Sequence, residues 1–419
     1  MKFFIKNKLI KETFWSFAGK GTTFLLVMLF NVYLARRLGT ERFGEWAFFF
    51  SLLTVISVLS YSGINASARR YVAQRSETEE LSGVLKSSVR LRFIVSLVFA
   101  VSLFLVRRPL AAFIGRPEFA PLFAAAAPLI FFAGLVEFLK QVFTGLHRIR
   151  YNFIVNLVEY GLKLLLVVFF LGFSRSLTGI VNSFTIAAFT AAVIGFYCLR
   201  KNFYMKDRAD GKKDFTKHIF KYSIPLFFIG IGFLLVTEID TLMLGVLSTD
   251  REVGLYAVAK QIIVKLPHIS LAMAMGIMPV FAKLNSKNKR KLMALFYRLL
   301  KMNAVVFLVI VTILLFFSRS FICFAFGSAY SAAALPLRIL TAYLVFYSFS
   351  VLLSSFLNYQ GRAAKRAVSL GACMLFNIAL NVLLIPAYGA VGAAVATTVS
   401  FFPYTVLNAI EVRKVFSFY

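Results

Sequence analysis

Long uninterrupted apolar stretches recur from one end of this chain to the other, and their number limits the possible folds more than any other feature. A helix that crosses a bilayer needs about 20 predominantly apolar residues. Twelve stretches reach that length, near residues 14–34, 44–65, 91–114, 119–140, 152–173, 178–199, 222–246, 254–282, 299–318, 332–357, 367–386 and 389–410. Lipid offers no hydrogen bonds to the backbone, so each is expected to be a helix. The first stretch follows Lys2, Lys6, Lys8 and Lys11, as a secretory leader would. Lys20 interrupts it, no small-residue cleavage site follows, and eleven similar stretches come after it, so it reads as a retained span.

Composition separates two meanings of the large positive charge. The chain is 60% apolar and 15% charged, against about 25% charged in soluble domains. Its 47 Lys and Arg against 17 Asp and Glu give +30, which in a soluble chain points to nucleic acid. With the N-terminus in the cytoplasm, 33 of the basic residues fall in cytoplasmic segments, including the group Arg69 to Arg92, 10 fall on the outer side and four lie within spans. That asymmetry is the positive-inside signature. The charge therefore reports topology, with both termini cytoplasmic, membrane lipids as partners and no nucleic acid.

Soluble-enzyme chemistry is missing. Cys198, Cys323 and Cys373 are scattered, as are His147, His218 and His268, so neither a disulfide framework nor a metal site is indicated. Gly19-Lys20-Gly21-Thr22 looks like part of a phosphate loop, but Phe14 stands where the first glycine belongs and Gly21 where Ser or Thr belongs. No cofactor is expected; any driving force would be a proton or cation gradient.

A repeat of half the chain sets the architecture. Leu38 to Ala47 (LGTERFGEWA) reappears as Leu247 to Ala257 (LSTDREVGLYA), at an offset of 209 before one inserted residue and 210 after it. Gly44 thus corresponds to Gly254 and Trp46 to Tyr256, while Gly179 lies 210 before Gly389. Six spans return the chain to the side on which it began, so the two halves are inserted in parallel. The expected fold is an all-α integral membrane protein of about twelve transmembrane helices, in two parallel six-helix bundles around a central cleft. Residues 1–205 form the first bundle, 206–221 the cytoplasmic linker and 222–419 the second, the frame of an alternating-access transporter.

Ionisable groups at membrane depth mark either a functional cavity or a structural pair. Glu159 and Lys163, four apart on one helix face, are expected to pair with each other, and Glu137 with Lys140 or Gln141. Lys265 lies roughly 16 Å inside its span, beside Pro267, which removes the hydrogen bond to the Ile263 carbonyl, and His268. Such a broken, polar point is where transporters place binding sites, so Lys265 is expected to line a cavity, the alternative being a pair with a carboxylate from another helix. Glu238 and Asp240 lie level with Lys260, leaving open an Asp240–Lys260 salt bridge or an ion-coupling role. Lys20, between Gly19 and Gly21, can either snorkel or face a cavity.

Three regions together carry a family resemblance: Leu34 to Gly44 (LARRLGTERFG) with Gly63 to Tyr71 (GINASARRY), Asp240 to Gly245 (DTLMLG) with Val253 to Ala257 (VGLYA), and Asn381 to Thr397 (NVLLIPAYGAVGAAVAT). In this order, within a twelve-span frame, they resemble the polysaccharide (O-antigen, Wzx-type) flippases of the multidrug/oligosaccharidyl-lipid/polysaccharide exporter superfamily. The resemblance implies two six-helix bundles and a multi-pass carrier in the cytoplasmic (inner) membrane. Its cargo would be a polyprenyl-pyrophosphate-linked oligosaccharide, turned from the cytoplasmic to the outer leaflet for surface polysaccharide biosynthesis, alongside other polysaccharide-assembly membrane proteins. By the same analogy Lys20, Arg42, Lys260 and Lys265 lie on cleft-lining spans and are the candidates for binding the anionic lipid-linked glycan, with Glu238 and Asp240 for ion coupling. The alternatives are a multidrug or cation antiporter of the same superfamily, which would favour unpaired carboxylates, and a membrane-embedded glycan polymerase or ligase, which would need a larger outer loop. A transporter rather than an enzyme is expected.

Overall fold

The computed structural model describes residues 2–61, 63–173, 176–201, 214–274, 289–360 and 362–417. Among them all regular structure is helical: α1 (Lys2–Tyr61), α2 (Ile64–Arg75), α3 (Leu81–Phe113), α4 (Ala120–Gly145), α5 (Ile149–Phe173), α6 (Leu177–Leu199), α7 (Thr216–Leu247), α8 (Asp250–Ile263), α9 (Lys289–Phe326), α10 (Ala334–Tyr359) and α11 (Ala363–Ser417). Nine helices here are long and apolar enough to cross a membrane. Two of them are double. The apolar part of α1, Phe14–Tyr61, has 48 residues and is interrupted at Gly39 (φ 76°, ψ 174°), where a side chain would be strained. Phe30 and Phe50 would stand about 30 Å apart on a straight helix, yet both rings meet Phe184, with centroids 5.2 and 6.0 Å away, so the chain doubles back. In α11, Gly389 has φ 53°, and a Cβ on Gly392 would overlap the Leu384 carbonyl, so this helix too is a hairpin of two spans. A further span, Thr216–Gly232 with Thr237–Leu247, crosses a short break in α7. Together they make the twelve spans read from the sequence.

The chain divides into two compact units, residues 1–37 with 49–234, and residues 38–48 with 235–419. In the first, α4 packs against α2, α3, α5 and α6. Small residues make this possible: a Cβ on Gly195 of α6 would press on Leu139 of α4, and Ala187, Ala188, Ala191 and Ala192 are buried on the same helix. Large apolar side chains point outward, Phe113 being 90% exposed and Phe173 82%, as a lipid-facing surface requires.

In the second unit, α10 packs against α8, α9 and α11. The repeated segment meets its own counterpart there. A Cβ on Gly44 would overlap the Asp250 carbonyl, and one on Gly254 the Thr40 carbonyl. Positions 40 and 44 thus oppose 250 and 254, each separated by the same 210 residues, so the two copies cross symmetrically, backbone on backbone. Phe48 covers Gly245 in the same unit.

Candidate functional site

The most elaborate polar cluster of the second unit surrounds Asp240, a buried carboxylate 4% exposed. Tyr256 on α8 donates its hydroxyl to Oδ2 at 2.9 Å, and Thr397 on the second limb of α11 donates to the same oxygen at 2.8 Å. Asn381, on the first limb of α11, donates Nδ2 to Oδ1 at 2.7 Å and to Asn377 Oδ1 at 3.0 Å. All of these partners are neutral. A small cavity opens beside Asp240, lined by Asn377, Thr397 and Ser400 with Tyr343, Cys373 and Phe401. The buried Oδ1 of Asn381 has no partner among the described residues. One negative charge ringed by hydroxyl and amide oxygens is a donor set for a hard monovalent cation or a proton. No group of three His, Cys, Asp or Glu residues able to hold a metal occurs among the described residues.

Glu238, one half-turn earlier on α7, takes the partner expected for its neighbour. Lys260 Nζ lies 3.3 Å from Glu238 Oε2 and donates to Thr241 Oγ1 at 2.9 Å. The salt bridge of α8 therefore runs to Glu238 and leaves Asp240 without a described cationic partner. Residues two apart on a helix point in different directions, which spacing along one span cannot weigh.

α8 ends at Ile263, the following residues turn through hydrogen bonds from Leu266 to Ile263 and from His268 to Lys265, each 3.3 Å, and residues 268–274 are helical again. The backbone break anticipated at Pro267 is present. The freed Ile263 carbonyl accepts from Leu266. Lys265 stands on this break, exposed and without a partner among the described residues; the stretch 275–288 that completes this span lies outside them. Lys20 on α1 is likewise exposed and without a described partner, and Arg42 is exposed on the limb of α1 that joins the second unit.

The first unit holds a buried charge network. Glu159 is flanked by Lys140 at 2.6 Å and Lys163 at 2.5 Å. Lys140 also lies 3.7 Å from Glu137, which accepts from Gln141. The expected pairs are present, joined into one cluster. Arg92, counted from sequence among the cytoplasmic loop charges, is instead fully buried within α3. Its guanidinium donates to the Ser60 carbonyl at 2.6 Å and the Ser60 hydroxyl at 3.0 Å, capping the end of α1, and occupies the space a Cβ on Gly134 would need. The spacing Ser88, Arg92, Ser96, one polar residue per helical turn, is the signal that could have revealed it.

The family model for the "Polysaccharide biosynthesis protein" family matches residues 9–285, about two thirds of the chain. The chain belongs to this family. A second model, MatE, matches residues 225–383. This family member is 25% identical to a protein of Haloferax volcanii named "Probable low-salt glycan biosynthesis flippase Agl15", over 93% of the chain and 80% of that protein. Its fold is similar to that of an inward-facing multidrug resistance MATE family transporter of the MOP superfamily, with a TM-score of 0.77 at 14% identity over 94% and 95% of the two chains. It is also similar to the lipid II flippase MurJ, inward closed, with a TM-score of 0.74 at 16% identity over 96% and 89%. The polysaccharide-family protein is thus a multi-pass membrane protein whose fold is similar to that of these transporters.

Proposed function

We propose that the protein is an alternating-access flippase that carries a polyprenyl-pyrophosphate-linked oligosaccharide from the cytoplasmic to the outer leaflet of the cytoplasmic membrane for surface polysaccharide biosynthesis. The observation that carries this reading is the presence, on spans of a polysaccharide-family member, of two cations, Lys20 and Lys265, that stand exposed and without partners among the described residues. An unneutralised cation at membrane depth is costly, and a diphosphate headgroup supplies the missing charge. Arg42 would act as a further contact, and Lys260 would join when Glu238 is neutralised.

In the same reading residues 1–205 and 222–419 form parallel bundles by topology, 206–221 is their cytoplasmic linker and both termini are cytoplasmic. The linker's first eight residues lie outside the described part. Asp240, with Thr397, Asn377 and Asn381 beside it, would bind a coupling proton or monovalent cation. That same carboxylate supports a second reading, a cation antiporter of the superfamily; the exposed lysines favour the anionic cargo. Partners would be membrane lipids and other polysaccharide-assembly membrane proteins.

Complementation of a deletion strain tests the reading: Lys265→Ala should insert normally and abolish surface glycan, whereas normal glycan from that variant overturns the assignment.

A further inference from the structure

We infer that the first three turns of α9, at the end that the charge asymmetry places in the cytoplasm, form a docking surface for the headgroups of anionic phospholipids. Arg290, Lys291, Arg298 and Lys301 of α9 are all exposed and have no partner among the described residues. Their charge has almost nothing to meet it in this part of the chain. Residues 253–419 hold 16 Lys and Arg and one acidic residue, Glu411. That carboxylate already has Arg362, Lys414 and Lys365 at 2.9, 2.9 and 3.6 Å.

Packing fixes which way the cations face. Leu292, Phe296 and Leu299 are buried in one cluster with Leu352, Phe356 and Val412, and the Phe296 and Phe356 rings lie 4.7 Å apart. Helical periodicity then puts Lys291, Ala294, Arg298 and Lys301 on the opposite face, in a single stripe. Tyr297, 53% exposed, stands beside it. Further along the same stripe Val305 and Leu308 are 64% and 67% exposed, so this face changes from cationic to apolar between Lys301 and Val305. Topology asks for basic residues on this side of the membrane, and it does not ask for them in register with a lipid-facing stripe.

Depth selects the partner. Lys301 and Arg319 bound the apolar run 302–318 and stand about 27 Å apart along the helix. A bilayer has roughly 30 Å of hydrocarbon, so Lys301 marks its edge and Arg298, one turn further out, lies among the phosphates. An ammonium and a guanidinium fork one turn apart both pair with phosphate oxygens. Tyr297 supplies an interfacial ring, and Arg290 and Lys291 add attraction from beyond the headgroups. The acyl chains lie along Val305 and Leu308.

The purified full-length protein in mixed micelles of phosphatidylglycerol and phosphatidylcholine tests this through the lipid that co-elutes with it. Phosphatidylglycerol should be enriched about twofold or more over the input ratio, as attraction to several cations implies. Arg298→Gln with Lys301→Gln should remove at least half of that enrichment. Lys217→Gln with Lys221→Gln, the same charge change at exposed positions of α7, should remove clearly less. Arg298→Lys with Lys301→Arg keeps the charge and should keep the enrichment, which separates lost charge from lost fold. No enrichment in the wild type, equal losses in the two Gln pairs, or a loss in the charge-preserving pair as large as in the Gln pair overturns the surface. No lipid-linked glycan enters the assay and no residue of the stripe is a cargo candidate, so the outcome is independent of the cargo reading.

Discussion

Gly44 and Gly254 oppose each other where two helices cross, each leaving room for the carbonyl of the residue four positions before the other. The repeat that first suggested two parallel halves thus has a physical purpose. Both copies must present a glycine because each helix backbone occupies the volume of the other's missing side chain.

Gly254→Leu should therefore destabilise the protein by about 1–3 kcal/mol or more, as overpacking against backbone does. Gly21→Leu, with nothing near its Cβ position, should leave the unfolding midpoint of the detergent-purified protein nearly unchanged. Equal midpoints for the two variants would contradict the crossing.

Asp240→Asn keeps the shape of the side chain and removes its charge. Since Asp240 accepts from Tyr256, Thr397 and Asn381, an amide there presents a donor to donors. We expect export to fall at least tenfold and to lose its dependence on an imposed proton or sodium gradient, with normal membrane insertion. Full gradient-dependent activity would exclude Asp240 from coupling.

Glu159→Gln strands Lys163 and leaves Lys140 only the more distant Glu137 inside the first unit, at an expected cost of roughly 3–5 kcal/mol. Replacing Glu159 by Leu together with both lysines by Met should recover most of that loss, because apolar residues need no counter-charge. Comparison of unfolding midpoints decides it.

Asp214 ties the start of α7 to α3. Its carboxylate accepts from Arg90 at 2.6 Å, from Ser87 at 3.1 Å and from the Thr216 amide at 2.9 Å. These donors, those of Thr216 foremost, hold its pKa well below the usual aspartate value. A depressed carboxylate stabilises the fold above the unfolded pKa of about 4, and that contribution is lost as pH falls through the folded value. Wild type should accordingly exceed Asp214→Asn in midpoint at neutral pH, the gap closing under strong acid. A gap that widens on acidification would contradict the tether.

Apolar length and the position of glycines sufficed to place the spans, because the bilayer fixes how long a helix must be; the reversal at Gly39 falls in the predicted gap between spans, and that at Gly389 on the first residue of the predicted twelfth span. The close pairs Glu159–Lys163 and Glu137–Gln141 were legible for the same local reason. The surroundings of Asp240 were not. Asn381 and Thr397 lie 141 and 157 residues away, and only packing brings them together. The partner of Lys260 turned on helix rotation, and the burial of Arg92 on the gap left by Gly134, neither of which span counting contains.

The central proposal is that this family member moves a lipid-linked glycan between leaflets, and leaflet position is the direct measurement. In cells lacking the protein, lipid-linked oligosaccharide should accumulate and resist an enzyme or impermeant probe added from outside, becoming accessible when the wild-type chain is restored and staying inaccessible with Lys265→Ala. Unpolymerised units already accessible on the outer face of the deletion strain would contradict it.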